Sequence, residues 1–180
     1  MSNKKNLKKN EPAFARKLGR TGILTRQPVM WISATALMAS SDKPQLRRAA
    51  GRGAACYLIG AVVGNVPKPL FNRAQPRQRK PRKPQILRGS FPSGHGAAEV
   101  AYVFGASQEA PVLFVPLGAA AAVAHWSLVR GGKHYVSDFL VGGTIGLLIA
   151  LAALRLKPPA TVTEFVRRAE PAGALPVRGG

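Results

Sequence analysis

An all-α, integral membrane helical bundle of about five transmembrane helices is the fold class this sequence predicts. Three observations predict it. The 180 residues allow one domain. The charge is sorted rather than mixed: 27 Lys and Arg face only 7 Asp and Glu, for a net charge of +20, yet 46% of residues are hydrophobic. Charge-free runs then alternate with dense basic stretches along the chain. A soluble globular domain mixes its charges in sign, and a disordered basic chain lacks long apolar runs.

The apolar runs define the elements in order. They cover residues 27–41, 53–67, 110–129 and 139–154, and a fifth segment, 93–107, is apolar except for His95 and Glu99. A spanning helix needs ~20 apolar residues, within roughly 17–25. Only the run 110–129 meets that length unaided. The others approach it when flanking Arg and Lys stems snorkel to the headgroups. The run 110–129 has no amphipathic stripe, which argues against a soluble bundle of buried helices. Trp31, near the start of the first run, suits an interfacial aromatic belt. Pro-rich residues 67–88 cannot be regular helix for most of their length, and residues 90–95 read as a turn that opens a helix. Gly142, Gly143 and Gly146 suit close helix packing, and Cys56 is expected to be a small buried apolar residue. A lone cysteine excludes an intrachain disulfide framework and a multi-cysteine zinc site.

The organisation expected is a basic tail over residues 1–22, a membrane domain over 23–157 and a flexible tail over 158–180. No cleavable signal peptide is expected, because no apolar core directly follows the basic N-terminus.

Polar residues beside the helices fall into three groups: Lys68 with the arginines after it, Ser93-Gly94-His95, and Arg130, His134 and Asp138. If successive helices alternate direction, all three groups meet at one membrane face. His134 and Asp138 are four residues apart and share a helical face. A carboxylate there can fix the imidazole tautomer and raise its basicity. The backbone amides at Ser93 and Gly94 open a helix and suit an anion. Two imidazoles, one carboxylate and several cations suit phosphoryl transfer, with one histidine attacking phosphorus and the other protonating the leaving oxygen. No carboxylate cluster points to a divalent metal. His125 is expected to be a hydrogen-bonded packing or interfacial residue, and Glu99 a site-lining or helix-pairing one.

Pro92-Ser93-Gly94-His95 resembles the central motif of the type 2 phosphatidic acid phosphatase (PAP2) superfamily, which is related to vanadium haloperoxidases. That family carries K-x6-R-P, P-S-G-H and S-R-x5-H-x3-D. Here Lys68 is followed by Gln75-Pro76, and Ser127-Leu128 by His134 and Asp138. The resemblance extends from Lys68 to Asp138, or over residues 27–154 with the surrounding helices. It implies a phosphohistidine at His134, orientation of that ring by Asp138, a general acid at His95, and phosphate contacts from Lys68, Ser93 and Gly94. It implies no metal and no cofactor.

Both motif arginines are replaced, by Gln75 and Leu128. Neither replacement supplies the bidentate cation that an Arg fork offers phosphate. Arg73, Arg77 and Arg130 each lie two residues from a vacated position and are candidate substitutes. The expected substrate is a lipid phosphate and the expected surroundings are membrane lipids, with no nucleic acid as partner. A nucleic-acid binder would be extracted by high salt, whereas integral helices yield only to detergent. With five helices, 18 basic residues share the site's side and nine lie opposite. The positive-inside rule then favours a cytoplasmic site. If the first run only lies on the surface, the balance reverses. Labelling a cysteine placed at Gln78 with a membrane-impermeant reagent decides between them.

Overall fold

The computed structural model describes residues 27–71, 73–76 and 89–155. Both tails and most of the basic Pro-rich loop, including Arg77, lie outside the described residues.

Among the described residues the fold is all-helical. Helix α1 is Gln27–Ala39, α2 is Pro44–Asn65 and α3 is a single turn, Lys68–Phe71. Helix α4 is Gly94–Glu109, α5 is Phe114–Arg130 behind a 3-10 turn at Pro111–Leu113, and α6 is Val136–Leu154. Among the described residues, three stretches are long and apolar enough to cross a membrane: Pro44–Phe71, Pro111–Arg130 and Val136–Leu154. Large apolar side chains on them, such as Leu58, Val62, Val115, Leu140 and Leu148, are exposed on the outside of the bundle.

Helix α4 is the central rod. It packs along α2 and α6, and more lightly against α5, while α1 docks on α2. That position explains its composition. Gly94, Gly96, Ala97, Ala98, Ala101, Gly105 and Ala106 let neighbouring backbones approach closely. Being enclosed by protein over most of its length, α4 can also carry the fully buried Glu99, which would be costly against lipid. The closest approaches come from α6: a β-carbon at Gly142 would collide with the Ser93 carbonyl oxygen, and one at Gly146 with that of Ala97. Cys56 is buried against Gly105, as expected.

Two expectations are corrected. Trp31 does not sit in a lipid-facing belt. It is 2% exposed, with its ring 4.7 Å from that of Tyr102. The short α1 thus spends its aromatic residue on docking, beside a Thr35–Tyr102 hydroxyl pair 2.9 Å apart. Helix α2 also starts nine residues before its charge-free run. Pro44 opens it, a position where the missing N–H costs nothing. Its arginines are paired: Arg47 donates to the Ser41 carbonyl, Arg48 lies 3.1 Å and Arg52 2.8 Å from the Glu109 carboxylate, and Arg52 also reaches the Ala153 carbonyl. These contacts tie together the ends of α2, α4 and α6 away from His95.

Candidate active site

At the opposite end, the C-terminus of α2, the N-termini of α4 and α6, and the C-terminus of α5 converge. Ser93 is the N-cap of α4. Its backbone is extended and its Oγ accepts from the Gly96 N–H at 3.1 Å. Its own N–H donates to the Asp138 carbonyl at 3.0 Å, joining the first turns of α4 and α6. Segment 73–76 lies along residues 89–90: the Ser90 N–H donates to the Arg73 carbonyl, and its hydroxyl donates to that of Ala74. Phe71 packs edge-on against Phe91, 4.8 Å between centroids, holding α3 to the same loop.

His134 lies in the connection between α5 and α6, 5% exposed. Its Nδ1 is 2.9 Å from the Ser90 carbonyl oxygen. A carbonyl can only accept, so Nδ1 carries the proton and Nε2 keeps the lone pair. Burial pushes the His134 pKa below the ordinary 6.5, against the opposing pull of the Ser90 carbonyl; nearby His125 and Lys68 add to the lowering. The ring is therefore neutral at physiological pH. The His95 ring is 6.1 Å away between centroids and, unlike His134, exposed. An open imidazole thus faces a buried one, as a leaving group approached from outside requires.

Asp138 is wholly buried. Its Oδ2 accepts from the Tyr135 N–H at 2.8 Å, a cap on the first turn of α6, and lies 3.7 Å from His134 Nδ1. The latter distance is too long for a hydrogen bond. Asp138 therefore acts on the ring through its charge and by shaping the turn, and the Ser90 carbonyl makes the direct contact. Sequence reasoning missed that carbonyl, because a backbone acceptor leaves no mark on residue type. Lys68 is 5% exposed and within electrostatic reach of His95, His134 and Asp138.

The candidate substitutes for the motif arginines fare differently. Arg73 is at the site: its Nη1 is 2.9 Å from Asp138 Oδ1 and 3.1 Å from Ser137 Oγ, and its guanidinium lies 4.2 Å over the Tyr135 ring. Arg130 is exposed, with its guanidinium 5.3 Å over the Trp126 ring. Arg77 lies outside the described residues. Leu128 is buried, at 3% exposure.

His125 is hydrogen-bonded as expected, but its location was not foreseen. It is 3% exposed, its Nδ1 is 3.2 Å from Glu99 Oε2, and its ring is 6.2 Å from that of His134. The spacing from Leu128 to His125 hinted at a shared helix face, but nothing in the sequence tied His125 to Glu99. Beside it runs an apolar cavity of about 350 Å³ between α4, α5 and α6, walled by Phe104, Phe114, Gly118, Trp126 and Phe139. Among the described residues, His125 is the only ionisable one lining it. No group of metal-ligating side chains occurs among the described residues.

Two imidazoles, a buried carboxylate and helix-opening amides thus meet at one end of an all-helical domain. The PAP2 superfamily model matches residues 50–161, more than half the chain, and the protein belongs to that superfamily. No curated protein and no solved structure matches it.

Proposed function

We propose that the chain is a multi-pass enzyme of the cell membrane that hydrolyses a phosphomonoester, or a pyrophosphate, of a lipid. Phosphatidic acid, phosphatidylglycerol phosphate and a polyprenyl phosphate or its glycosyl derivative are the candidate substrates, which would place it in cell-envelope lipid metabolism. The observation that carries this reading is the Ser90 carbonyl on His134 Nδ1, which leaves Nε2 as a nucleophile 6.1 Å, ring to ring, from a second imidazole.

In the first step His134 Nε2 attacks phosphorus and the bond to the lipid oxygen breaks. The departing oxygen takes a proton from His95. In the second step His95 takes a proton from water, the resulting hydroxide attacks phosphorus, and the P–N bond breaks. Inorganic phosphate leaves and His134 is restored. Lys68 and the amides at Ser93 and Gly94 are assigned to the phosphoryl oxygens. Arg73 holds Asp138 and takes the role of the nearby cation. The apolar cavity supports a lipid substrate, whose chain would lie between α5 and α6.

A second reading, a protein that binds anionic headgroups without turnover, is favoured by one observation: Gln75 and Leu128 occupy both motif arginine positions. The test is inorganic phosphate release by the purified, detergent-solubilised chain from a panel of lipid phosphates. The enzyme reading expects release by the wild type and none by His134→Ala. Release that survives in His134→Ala rejects the phosphohistidine route. A wild type that binds the lipids but releases nothing establishes the second reading.

A further inference from the structure

The mechanism above leaves one buried ionisable pair unused, Glu99 with His125. Both lie in helices that are otherwise apolar at that depth, where an ionisable group marks function by default. The pair bridges α4 and α5, and the Trp31 indole neighbours the Glu99 carboxyl from the far side. The imidazole is held on three sides. Glu99 takes Nδ1, the Phe139 ring stacks 3.7 Å from its centroid, and a β-carbon at Gly96 would sit 3.3 Å from its Cε1. Three buried atoms of the cluster have no hydrogen-bond partner among the described residues: Trp31 Nε1, Glu99 Oε1 and His125 Nε2. The first two belong to neighbouring groups, which leaves Nε2 of His125 without a role. A buried polar atom is normally paired.

The pair also lies where the site is short of charge. Leu128 follows His125 by three residues and shares its face of α5. It is buried and apolar, in the position where the family carries an arginine. One turn deeper, His125 is the ionisable group that α5 brings inward, 6.2 Å from the His134 ring. The pair shares one proton between two side chains and is neutral as a unit whichever of them holds it, which makes it tolerable inside the bundle.

We propose that His125, held by Glu99, donates from Nε2 to the phosphoryl group carried at His134 and supplies the hydrogen-bond contact that Leu128 cannot. This rests on the site reading given above and extends it to a phosphate-binding residue. The arrangement replaces an arginine fork by a buried imidazole N–H, backed by Glu99, that reaches the same anion from a turn further along α5. A charge-assisted hydrogen bond of this kind carries roughly tenfold or more in affinity.

The test uses the full-length chain in detergent, with inorganic phosphate as probe and thermal stabilisation as readout. His125→Phe keeps a ring to stack on Phe139 but has no donor. It is expected to weaken phosphate binding about tenfold or more. Adding Leu128→Arg to that variant is expected to restore affinity to within about threefold of wild type, because a donor again reaches the same anion. Glu99→Gln keeps the volume but cannot pass a proton to Nδ1, and is expected to weaken phosphate several-fold. Wild-type affinity in His125→Phe overturns the proposal, and so does a loss that Leu128→Arg does not recover, since that marks a packing role. If His125→Phe does not fold, unchanged affinity in Glu99→Gln overturns it. Failure of the enzyme reading shows separately, as absence of phosphate release by the wild type. A wild type that binds no inorganic phosphate overturns the proposal and leaves the enzyme reading to the release assay.

Discussion

At the scale of single residues, the site turns on which nitrogen of His134 bears the proton. The Ser90 carbonyl decides it, with Asp138 acting from 3.7 Å. The spacing of His134 and Asp138 brings the two close, but His134 precedes α6 and does not share its helical face, and the carboxylate is held by Arg73 and the Tyr135 amide instead of by the ring. The pH dependence follows from the burial of His134. Its pKa lies below 6.5, so the neutral, attacking form persists as pH falls to that value and is lost only below it. The acid limb of kcat/KM, corrected for titration of the substrate phosphate, is therefore expected below pH 6.5. Since kcat/KM reports the free enzyme, a limb above 6.5 would mean that another group carries the attack.

At the scale of elements, the sequence located every long helix but misjudged where some begin. Runs without charge mark lipid, so the end of such a run reads as the end of a span. Helix α2 breaks that rule because Arg48 and Arg52 find partners on α4 and α6, and such long-range pairing cannot be read along the chain. The glycines of α6 were readable as close packing, but not the target of that packing. Gly142 meets the Ser93 carbonyl, one residue before Gly94 opens α4 and two before His95. Gly142→Val should therefore push the first turn of α6, with Asp138 and the adjoining His134, away from His95. Forced overpacking of this kind costs about 1–3 kcal/mol. The expected outcome is a lower thermal midpoint together with a fall in kcat of about tenfold or more, since a small misplacement of reacting groups is costly. Gly143→Ala is the control, because a β-carbon there meets only Val100 at 3.5 Å, an ordinary contact.

At the scale of the whole molecule, the bundle is unevenly closed. Helix α4 binds α2 and α6 tightly, whereas α5 leans more lightly on α4 and meets α6 at the His125–Phe139 stack. The sequence foretold that the polar groups would gather at one end, because helix count and alternation suffice for that. It could not foretell the gap, which depends on which apolar faces meet. The gap is the cavity of about 350 Å³, and it runs beside His125 and Phe139, next to the histidine cluster. A lipid chain lying there would leave its phosphate at His134. Gly118 lines this cavity, and a β-carbon on it would meet nothing within 4 Å. Gly118→Phe can therefore project a ring into the gap without disturbing the backbone, and would occupy the space the lipid chain needs. The expected result is a rise in KM of about tenfold for a long-chain lipid phosphate, through loss of buried apolar contact. A short-chain, water-soluble analogue should suffer far less, so the ratio of kcat/KM values for the two substrates is the quantity to measure. An equal loss for both would mean that the ring distorts the site, and no change for either would mean that the chain lies elsewhere. Only a selective loss for the long chain places the lipid between α5 and α6.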